Sequence, residues 1–253
     1  MAEVNVLTLC FLAVASFVAS FIDSVVGGGG LITAPALLAT GIPVPYALGT
    51  GKVNVIGTAV SFYTFYKAGK IDKKILQLMP LAFIGGMMGA MTVNALPERI
   101  LKYIVVTCLV VVAIYTFFHK DWGAIESKVT FTKKTVFALA AVALGMGYYD
   151  GFFGPGTGTF LIFTFLTFGF NFVNASGNSK AWNLCSNLGA LCIFIWTGKV
   201  ILPFAIVMGV VQILGARAGA WVAITKGTKF VRPLFLVITT LLIGKQVFDI
   251  FLK

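Results

Sequence analysis

Long apolar runs separated by short polar loops dominate the chain. Between residues 4 and 22 no charged side chain occurs, and similar runs recur to the end of the sequence. A run of about 20 apolar residues is the length that an α-helix needs to cross a bilayer. The pattern predicts an all-α polytopic membrane protein with eight to ten membrane segments, at about residues 4–22, 30–42, 47–66, 75–95, 99–118, 135–149, 157–173, 178–197, 200–224 and 231–250.

The two halves of the sequence repeat the same order of motifs. Asp23 in "IDSVVGGGGLITAPALLATG" aligns with Asp150 in "YDGFFGPGTGTFLIFTFLTFG", and Lys52 in "GTGKVN" aligns with Lys180 in "GNSKAWN". The first pair is 127 residues apart and the second 128. So constant an offset predicts a duplicated chain with two tandem pseudo-symmetric repeats. The predicted units are a first transmembrane repeat at 1–118, a cytoplasmic connecting loop at 119–134 and a second transmembrane repeat at 135–253.

The short apolar segments at 30–42 and 157–173 leave the orientation of the repeats open. If both cross the membrane, each repeat has five crossings and the two repeats are inverted. If both dip into the membrane and return, each repeat has four crossings and the repeats are parallel. Lysines cluster in "KAGKIDKK" at 67–74 and in the 119–134 loop. Because cytoplasmic loops carry an excess of Lys and Arg, both loops are placed in the cytoplasm under either topology.

Composition supports a membrane protein and narrows its partners. The chain is 59% hydrophobic and 11% charged, with a mean hydropathy of +0.99, which is too apolar for an ordinary soluble domain. The net charge of +11 comes mostly from loops beside apolar runs, so we expect membrane lipids and no nucleic acid as partners. The four cysteines lie in apolar segments without metal-type spacing, which predicts buried thiols and no metal or other cofactor. A multi-pass inner-membrane protein is expected, and the sequence is compatible with a homodimer.

A glycine-rich break follows an aspartate in each half. Non-helical backbone survives in hydrocarbon only where protein or a water-filled cavity covers it, so the breaks imply a cavity. Helices are predicted to restart near Leu31 and near Thr159, and their first turns would point free N–H groups and partial positive charge into that cavity. This arrangement favours an anion, and matched broken helices mark substrate sites in secondary transporters. Close helix packing is the alternative explanation for "GGGG".

Glycines spaced four apart in the middle of apolar segments receive the packing explanation alone. They are Gly85 with Gly89 in the first half and Gly215 with Gly219 in the second. No charged residue lies close to the first pair, and we assign chemistry to neither pair.

Polar side chains flank both breaks at helical spacing. Lys52 and Lys180 are predicted to open their helices, with snorkelling to the headgroups as the alternative for both. Ser176, Lys180, Asn183 and Asn187 share one predicted helical face, and Thr50, Asn54, Thr58 and Ser61 share another. The candidate substrate-binding residues are Gly27, Gly28, Gly29, Gly30, Thr50, Lys52, Asn54, Gly154, Gly156, Thr157, Lys180, Asn183 and Asn187.

Asp23 and Asp150 are the candidate coupling-ion residues. A carboxylate costs about 2.5 to 3.5 kcal/mol at the centre of a membrane helix, so its presence there indicates function. The alternative is that each aspartate caps its glycine turn. Asp23 neighbours glycines and valines, whereas Asp150 follows Tyr148 and Tyr149, whose hydroxyls could donate to its charged form. We therefore predict Asp23 as the carrier of a coupling proton and Asp150 as chiefly structural. A cation channel or carrier that uses both carboxylates is the alternative function.

The chain resembles the TauE/SafE family of sulfite and sulfonate exporters over essentially its whole length. The resemblance rests on the two D-x-x-x-G-x-G breaks, on "LITAPALL", on "ALGTGKVN" with "NASGNSKAWN", and on "AGKI" and "TGKV". It implies an ion-coupled permease of the inner membrane for sulfite, sulfoacetate or a related organosulfonate; a non-sulfur small anion stays open as the alternative. Trp182 departs from the family pattern beside the second lysine. No nucleophile motif or metal-ligand set is present, so the chain is not expected to be an enzyme.

Overall fold

A computed structural model describes residues 5–101, 103, 104, 107, 131–227 and 230. This part of the chain is helical and contains no strand. The predicted spans at 99–118 and 231–250 fall almost wholly outside it, as does most of the 119–134 loop. The helices are α1 (Val6–Val26), α2 (Gly30–Ala39), α3 (Val44–Gly51), α4 (Val55–Lys67), α5 (Lys73–Leu76), α6 (Met79–Ala95), α7 (Lys133–Phe152), α8 (Thr157–Thr167), α9 (Phe172–Trp196) and α10 (Leu202–Lys226).

Three of the described helices are long and apolar enough to cross a membrane. They are α1, α7 and α10, with 21, 20 and 25 residues. Helices α3 and α4 form one nearly continuous path, because the residues between them, Lys52–Asn54, make a 3-10 turn. These features identify a multi-pass membrane protein.

Helix N-termini are capped by side chains at three of the long helices. The side chains of Asn5, Thr132 and Asn171 accept hydrogen bonds from backbone N–H groups in the first turns of α1, α7 and α9. Such caps satisfy N–H groups that have no partner inside the helix. Helices α2 and α8, which start at the glycine breaks, have no side-chain cap.

Glycines let two pairs of helices approach closely, as the packing explanation predicts. Helix α10 lies along α1, where a β-carbon at Gly215 would come within 2.4 Å of the Phe17 carbonyl oxygen and one at Gly219 within 2.3 Å of the Phe21 oxygen. Residue numbers rise together along this contact, so the two helices are parallel. Helices α6 and α7 are parallel by the same test, because Gly85 lies against Leu144 and Gly89 against Tyr148.

The path through α3 and α4 runs antiparallel to α9. Gly49 lies against Phe194 near one end of the contact, and Gly177 lies against Phe65 near the other. The same path is parallel to α1, since a β-carbon at Gly57 would lie 2.8 Å from the Ser20 hydroxyl and, four residues further along both helices, the hydroxyls of Ser24 and Ser61 are hydrogen bonded. Helix α6 runs parallel to α9, because Trp182 donates to the Ile75 carbonyl just before α6, whereas Ile193 belongs to the same apolar cluster as Val93 near the end of α6. The long helices therefore form two sets of opposite direction: α1, α3–α4 and α10 in one, and α6, α7 and α9 in the other.

Helix α2 returns towards the side from which α1 came. A β-carbon at Gly29 would lie 2.6 Å from the Ala19 carbonyl oxygen, and Leu37 belongs to the same apolar cluster as Leu12. Helix α2 thus folds back along α1 as a hairpin whose tip is the glycine break. With 10 and 11 residues, α2 and α8 are about 15 Å long, half the thickness of the hydrocarbon core.

Two sequence expectations about helix positions are wrong. Lys52 and Lys180 do not open their helices, because α3 begins at Val44 after the N-cap Pro43 and α9 begins at Phe172. Each lysine lies eight residues inside a helical path, at the depth of the breaks.

The cysteines also differ from the expectation of buried thiols. Cys10 and Cys192 are exposed on helix surfaces and Cys185 is half-buried, while Cys108 lies outside the described residues. In a membrane protein apolar side chains can face lipid instead of a protein core, so an apolar neighbourhood in the sequence does not predict burial.

Candidate functional site

The two glycine breaks cross each other inside the helix bundle. A β-carbon at Gly27 would lie 2.4 Å from the carbonyl carbon of Gly158, and one at Gly30 would lie 3.0 Å from the Pro155 Cα atom. Backbones at this separation leave no space for a side chain. At the crossing lies a cavity of about 40 Å³, which is room for about three water molecules.

Most of the predicted site residues line this one cavity. They come from both breaks and from the helices that carry the two lysines, which lie far apart in the sequence. The predicted residues on its wall are Asp23, Gly28, Gly30, Lys52, Asn54, Asp150, Gly154, Gly156, Thr157, Asn183 and Asn187.

Four predicted binding residues do not line the cavity. Gly27 and Gly29 provide close backbone packing, and the Gly29 N–H donates to Asp23 Oδ1 at 3.2 Å. Thr50 is fully buried and its hydroxyl accepts from the Ile201 N–H at 3.0 Å, before the start of α10. Lys180 is fully buried beside Asp23, which separates its ammonium group from the cavity.

Two ion pairs cross between the halves of the chain. Lys52 Nζ lies 3.0 Å from Asp150 Oδ1, and Lys180 Nζ lies 2.7 Å from Asp23 Oδ2. All four residues are at most 5% exposed. The alternative that the lysines snorkel to the headgroups is therefore wrong, because both ammonium groups are inside the bundle and neutralised by a carboxylate.

Each lysine also caps the C-terminus of the first helix in the other half of the chain. Lys52 Nζ donates to the backbone carbonyl of Asp150 in the last turn of α7, and Lys180 Nζ donates to that of Asp23 in the last turn of α1. The last carbonyls of a helix have no partner within it, and a cation there stabilises the negative end of the helix dipole. Gly154 allows this approach, because a β-carbon there would lie 2.8 Å from Lys52 Nζ.

The Asp150 carboxylate has several donors besides Lys52. Asn187 Nδ2 donates to Oδ2 at 2.8 Å, the Ser186 hydroxyl also donates to Oδ2, and the Thr157 hydroxyl reaches Oδ1 at 3.4 Å. The tyrosines predicted as donors bind elsewhere, since the Tyr149 hydroxyl donates to the Pro155 carbonyl and the Tyr148 hydroxyl to Thr92.

The surroundings of Asp23 are poorer in donors. Its carboxylate accepts from Lys180 and from the Gly29 N–H. The second contact agrees with the capping explanation, because the donor belongs to the glycine turn that follows. Asp23 is 5% exposed and lies on the cavity wall.

The uncapped ends of α2 and α8 meet at the cavity. Gly28, with φ +84°, precedes α2, and Gly156, with φ +85°, is the N-cap of α8. Both lie in the left-handed region that favours glycine. The α2 and α8 helices start within two residues of the positions predicted from the sequence. Their N-termini bring partial positive charge to the cavity from both sides.

Sequence reasoning missed Ser186 and Gly158. Ser186 is three residues after Asn183 and next to Asn187, so the same helical spacing could have indicated it. Gly158 gave no such signal, because its need for a missing side chain comes from the backbone of the other break. The 3-10 turn likewise lets Lys52 and Asn54, only two residues apart, both line the cavity.

Trp182, expected from the sequence to depart from the family pattern, does not reach the cavity. It is 1% exposed, its indole N–H donates to the Ile75 carbonyl at 2.9 Å, and its ring packs against Phe165 with centroids 4.8 Å apart. It fills the core behind α9.

Known proteins match the chain along nearly its whole length. Residues 12–245 match the family described as sulfite exporter TauE/SafE. A probable membrane transporter protein, ORF9, from Sinorhizobium is 37% identical over 91% of this chain and 89% of its own length. A probable membrane transporter protein from Haemophilus influenzae is 34% identical over 98% of this chain and 97% of its own length. The probable membrane transporter protein YfcA from Escherichia coli K12 is 35% identical over 97% of this chain and 92% of its own length. No solved structure gives a significant match.

These relatives are transporters and not enzymes, and the match covers both breaks, both lysines and both aspartates. The chain is a multi-pass membrane transporter that belongs to the TauE/SafE family.

Proposed function

We propose that the protein is a secondary carrier of a small sulfur-containing anion, such as sulfite, sulfoacetate or a related organosulfonate, across the inner membrane. The observation that carries this proposal is the cavity at which two uncapped helix N-termini meet. Helix N-termini bind anions through free N–H groups and the helix dipole. The family description as sulfite exporters supports the sulfur-containing class.

Charge balance at the cavity supports coupling to protons. Lys52 and Lys180 carry two positive charges, and Asp23 and Asp150 carry two negative charges, so the four groups sum to zero. A monoanion entering this buried site adds an uncompensated negative charge, which is costly away from water. Uptake of one proton by a carboxylate with each monoanion restores neutrality. We therefore infer co-transport of the anion with a proton.

Asp23 is the better candidate for the coupling proton. Neutralising Asp150 would leave Lys52, Asn187 and Ser186 without their charged acceptor, whereas Asp23 has one side-chain donor, Lys180, in addition to a backbone N–H. Once Asp23 is neutral, the positive charge of Lys180 behind it is free to attract the anion on the cavity wall. Lys180 would then act on the substrate through Asp23 without lining the cavity.

The ion pairs weigh against a cation channel or carrier. A cation would have to displace an ammonium group that lies 3.0 Å or less from one oxygen of each carboxylate. A non-sulfur anion such as acetate would meet the same positive groups as a sulfonate. The substrate screen therefore includes it.

We also infer that the two repeats are inverted. The helices aligned by the sequence repeat, α1 with α7 and α3–α4 with α9, run in opposite directions, and each first helix packs along the last described helix of the other half. The chain alternates in direction from α1 through α2 and α3–α4 to α6, and α7 runs opposite to α1, which supports an odd number of segments, five, in each half. An inverted pair of repeats with broken helices at its interface suits alternating access around one fixed site.

The test is transport by purified protein in proteoliposomes. Uptake of sulfite, sulfoacetate, taurine and acetate is compared with and without an acidic outer buffer, and protein-free liposomes correct for leakage. We expect a sulfur-containing anion to accumulate when the outside is acidic, and a protonophore to abolish accumulation while leaving exchange intact. Transport of acetate alone would contradict the sulfur-containing class.

The aspartates are tested in the same assay. Asp23→Asn should retain exchange of the anion but lose accumulation driven by the pH gradient, because the site can no longer release or take up the proton. Asp150→Asn should mainly lower the yield of folded protein. Proton-driven accumulation that survives in Asp23→Asn would remove this residue from the coupling mechanism.

A further inference from the structure

A groove on the outer surface between α4 and α10 carries two cations. It has a volume of about 530 Å³ and lies away from the cavity at the breaks. Lys67 and Arg217 line it together with the aromatic side chains of Tyr63 and Trp221, which are 63% and 62% exposed. Val60, Thr64, Ala68 and Ile224 complete the wall.

Neither cation has a counter-charge among the described residues. The salt bridges found in this part of the chain are the two buried pairs at the breaks. Arg217 lies nine residues before the end of α10, about 14 Å along the helix axis, so its backbone lies within the membrane. A charge there is costly unless it is paired or extends to the interface. Arg217 and Lys67 line the same groove, so both charges are available to one ligand.

The position of the groove identifies the leaflet it faces. Lys67 ends α4 and is the first residue of the lysine-rich loop that the distribution of charge assigns to the cytoplasm. Exposed Tyr and Trp side chains are typical of the membrane interface, where Tyr63 and Trp221 would then lie. The cytoplasmic leaflet is the one rich in anionic lipids, and basic pockets between helices on that side bind their headgroups.

We propose that this groove is a binding site for an anionic phospholipid of the cytoplasmic leaflet. Arg217 and Lys67 bind the phosphate, with the planar Arg217 guanidinium able to donate two parallel hydrogen bonds to it. Tyr63 and Trp221 lie between the levels of the two cations, beside the glycerol backbone, and Val60, the lining residue of α4 farthest from Lys67, contacts the acyl chains. This site is independent of the proposed transport function, because it involves none of the residues at the breaks.

Native mass spectrometry of the delipidated full-length protein tests the proposal. The protein is titrated with phosphatidylglycerol and, separately, with phosphatidylcholine of the same acyl chains. We expect preferential binding of phosphatidylglycerol, weakened about fivefold in Arg217→Gln and again about fivefold when Lys67→Gln is added, from the electrostatic contribution of each cation. Arg217→Lys should retain part of the affinity. Lys133→Gln, which removes an exposed cation from the start of α7, is the matched control and should bind as the wild type does.

Three results would overturn the proposal. One is equal binding of the two lipids by the wild type, which would make the groove merely apolar. Another is unchanged phosphatidylglycerol binding in the Arg217→Gln, Lys67→Gln protein. The third is dissociation of a dimer in Arg217→Gln, which would show that a second copy of the chain covers the groove. Both residues are exposed, so their substitution leaves the packed interior intact, and the comparison of the two lipids needs no variant.

Discussion

At the scale of single residues, the site depends on two buried ion pairs that connect the halves of the chain. Removing one member of a buried pair leaves an uncompensated charge and typically costs about 3 to 5 kcal/mol, whereas removing both members is often nearly neutral. Lys52 and Asp150 provide this test, since each is less than 5% exposed.

We expect Lys52→Met to lower stability strongly and Lys52→Met combined with Asp150→Asn to recover most of it. Both proteins should fail to transport, because the positive charge on the cavity wall is gone in each. Thermal unfolding in detergent measures stability and the proteoliposome assay measures transport, with Lys133→Met as a control on an exposed lysine. Wild-type transport by the double variant would show that the pair serves folding alone.

Gly28 tests whether close approach at the break matters for transport. A β-carbon at Gly28 would lie 3.0 Å from the Thr159 hydroxyl and would face the cavity, at φ +84°. Gly41 has a similar φ of +79° with no atom within 4 Å of a β-carbon. Both changes to Ala carry the strain of a left-handed backbone, about 1 kcal/mol.

We therefore expect similar losses of stability in Gly28→Ala and Gly41→Ala, with impaired transport in Gly28→Ala alone. Unfolding temperatures and initial transport rates are measured on the same preparations. Equal transport by the two variants would assign Gly28 to packing and not to substrate binding.

At the scale of helices, glycine contacts set how closely α6 approaches α7. A β-carbon at Gly89 would lie 2.1 Å from the Tyr148 carbonyl oxygen, whereas one at Gly145, on an exposed face of α7, meets nothing within 4 Å. Backbone atoms cannot move aside without separating the helices. In a membrane such packing is a main source of helix association, since lipid is as apolar as the side chains.

Gly89→Val should consequently reduce folded yield severely, by several kcal/mol of stability, while Gly145→Val should leave it close to the wild-type value. Size-exclusion chromatography of a fluorescent fusion, before and after heating, gives both yield and stability. A stable Gly89→Val protein would mean that α6 and α7 are not held together by this contact.

At the scale of the whole molecule, the directions of the helices favour the proposed inverted arrangement over the parallel one that the sequence also leaves open. Ala39 and Thr167 end α2 and α8, occupy matching positions of the two halves, and are both exposed. In an inverted pair of repeats such positions lie on opposite sides of the membrane. In a parallel pair they lie on the same side.

Single cysteines at these positions, in a background without the native cysteines, provide the measurement. We expect an impermeant thiol reagent to label Ala39→Cys from the periplasm and Thr167→Cys from the cytoplasm, with Lys73→Cys as the cytoplasmic reference. Labelling of both from one side would contradict the inverted arrangement.

Much of the site could be predicted from sequence because its constraints are local. Non-helical backbone in hydrocarbon needs a cavity, so the glycine breaks at 27–30 and 154–156 indicated where the cavity lies. Helical spacing from Lys180 indicated that Asn183 and Asn187 lie on the same face. The helix starts at Lys52 and Lys180 were wrong, because capping at Asn171 and the turn at Pro43 begin those helices earlier. A helix continues through a polar residue such as lysine when no proline or glycine ends it there.

The sequence by itself determined that this is a helical membrane protein and predicted two similar halves, with an aspartate, a glycine break and a lysine in each, since hydrophobic length and motif order are properties of the chain. Only the tertiary structure decided that each lysine pairs with the aspartate of the other half, that the Tyr149 hydroxyl turns away from Asp150, and that Gly27 packs against Gly158. The ion pairs and the Gly27–Gly158 contact join residues about 100 or more positions apart, and their geometry depends on the relative direction of the helices. Neither local spacing nor the charge of the loops specifies that direction, because both topologies satisfy them equally.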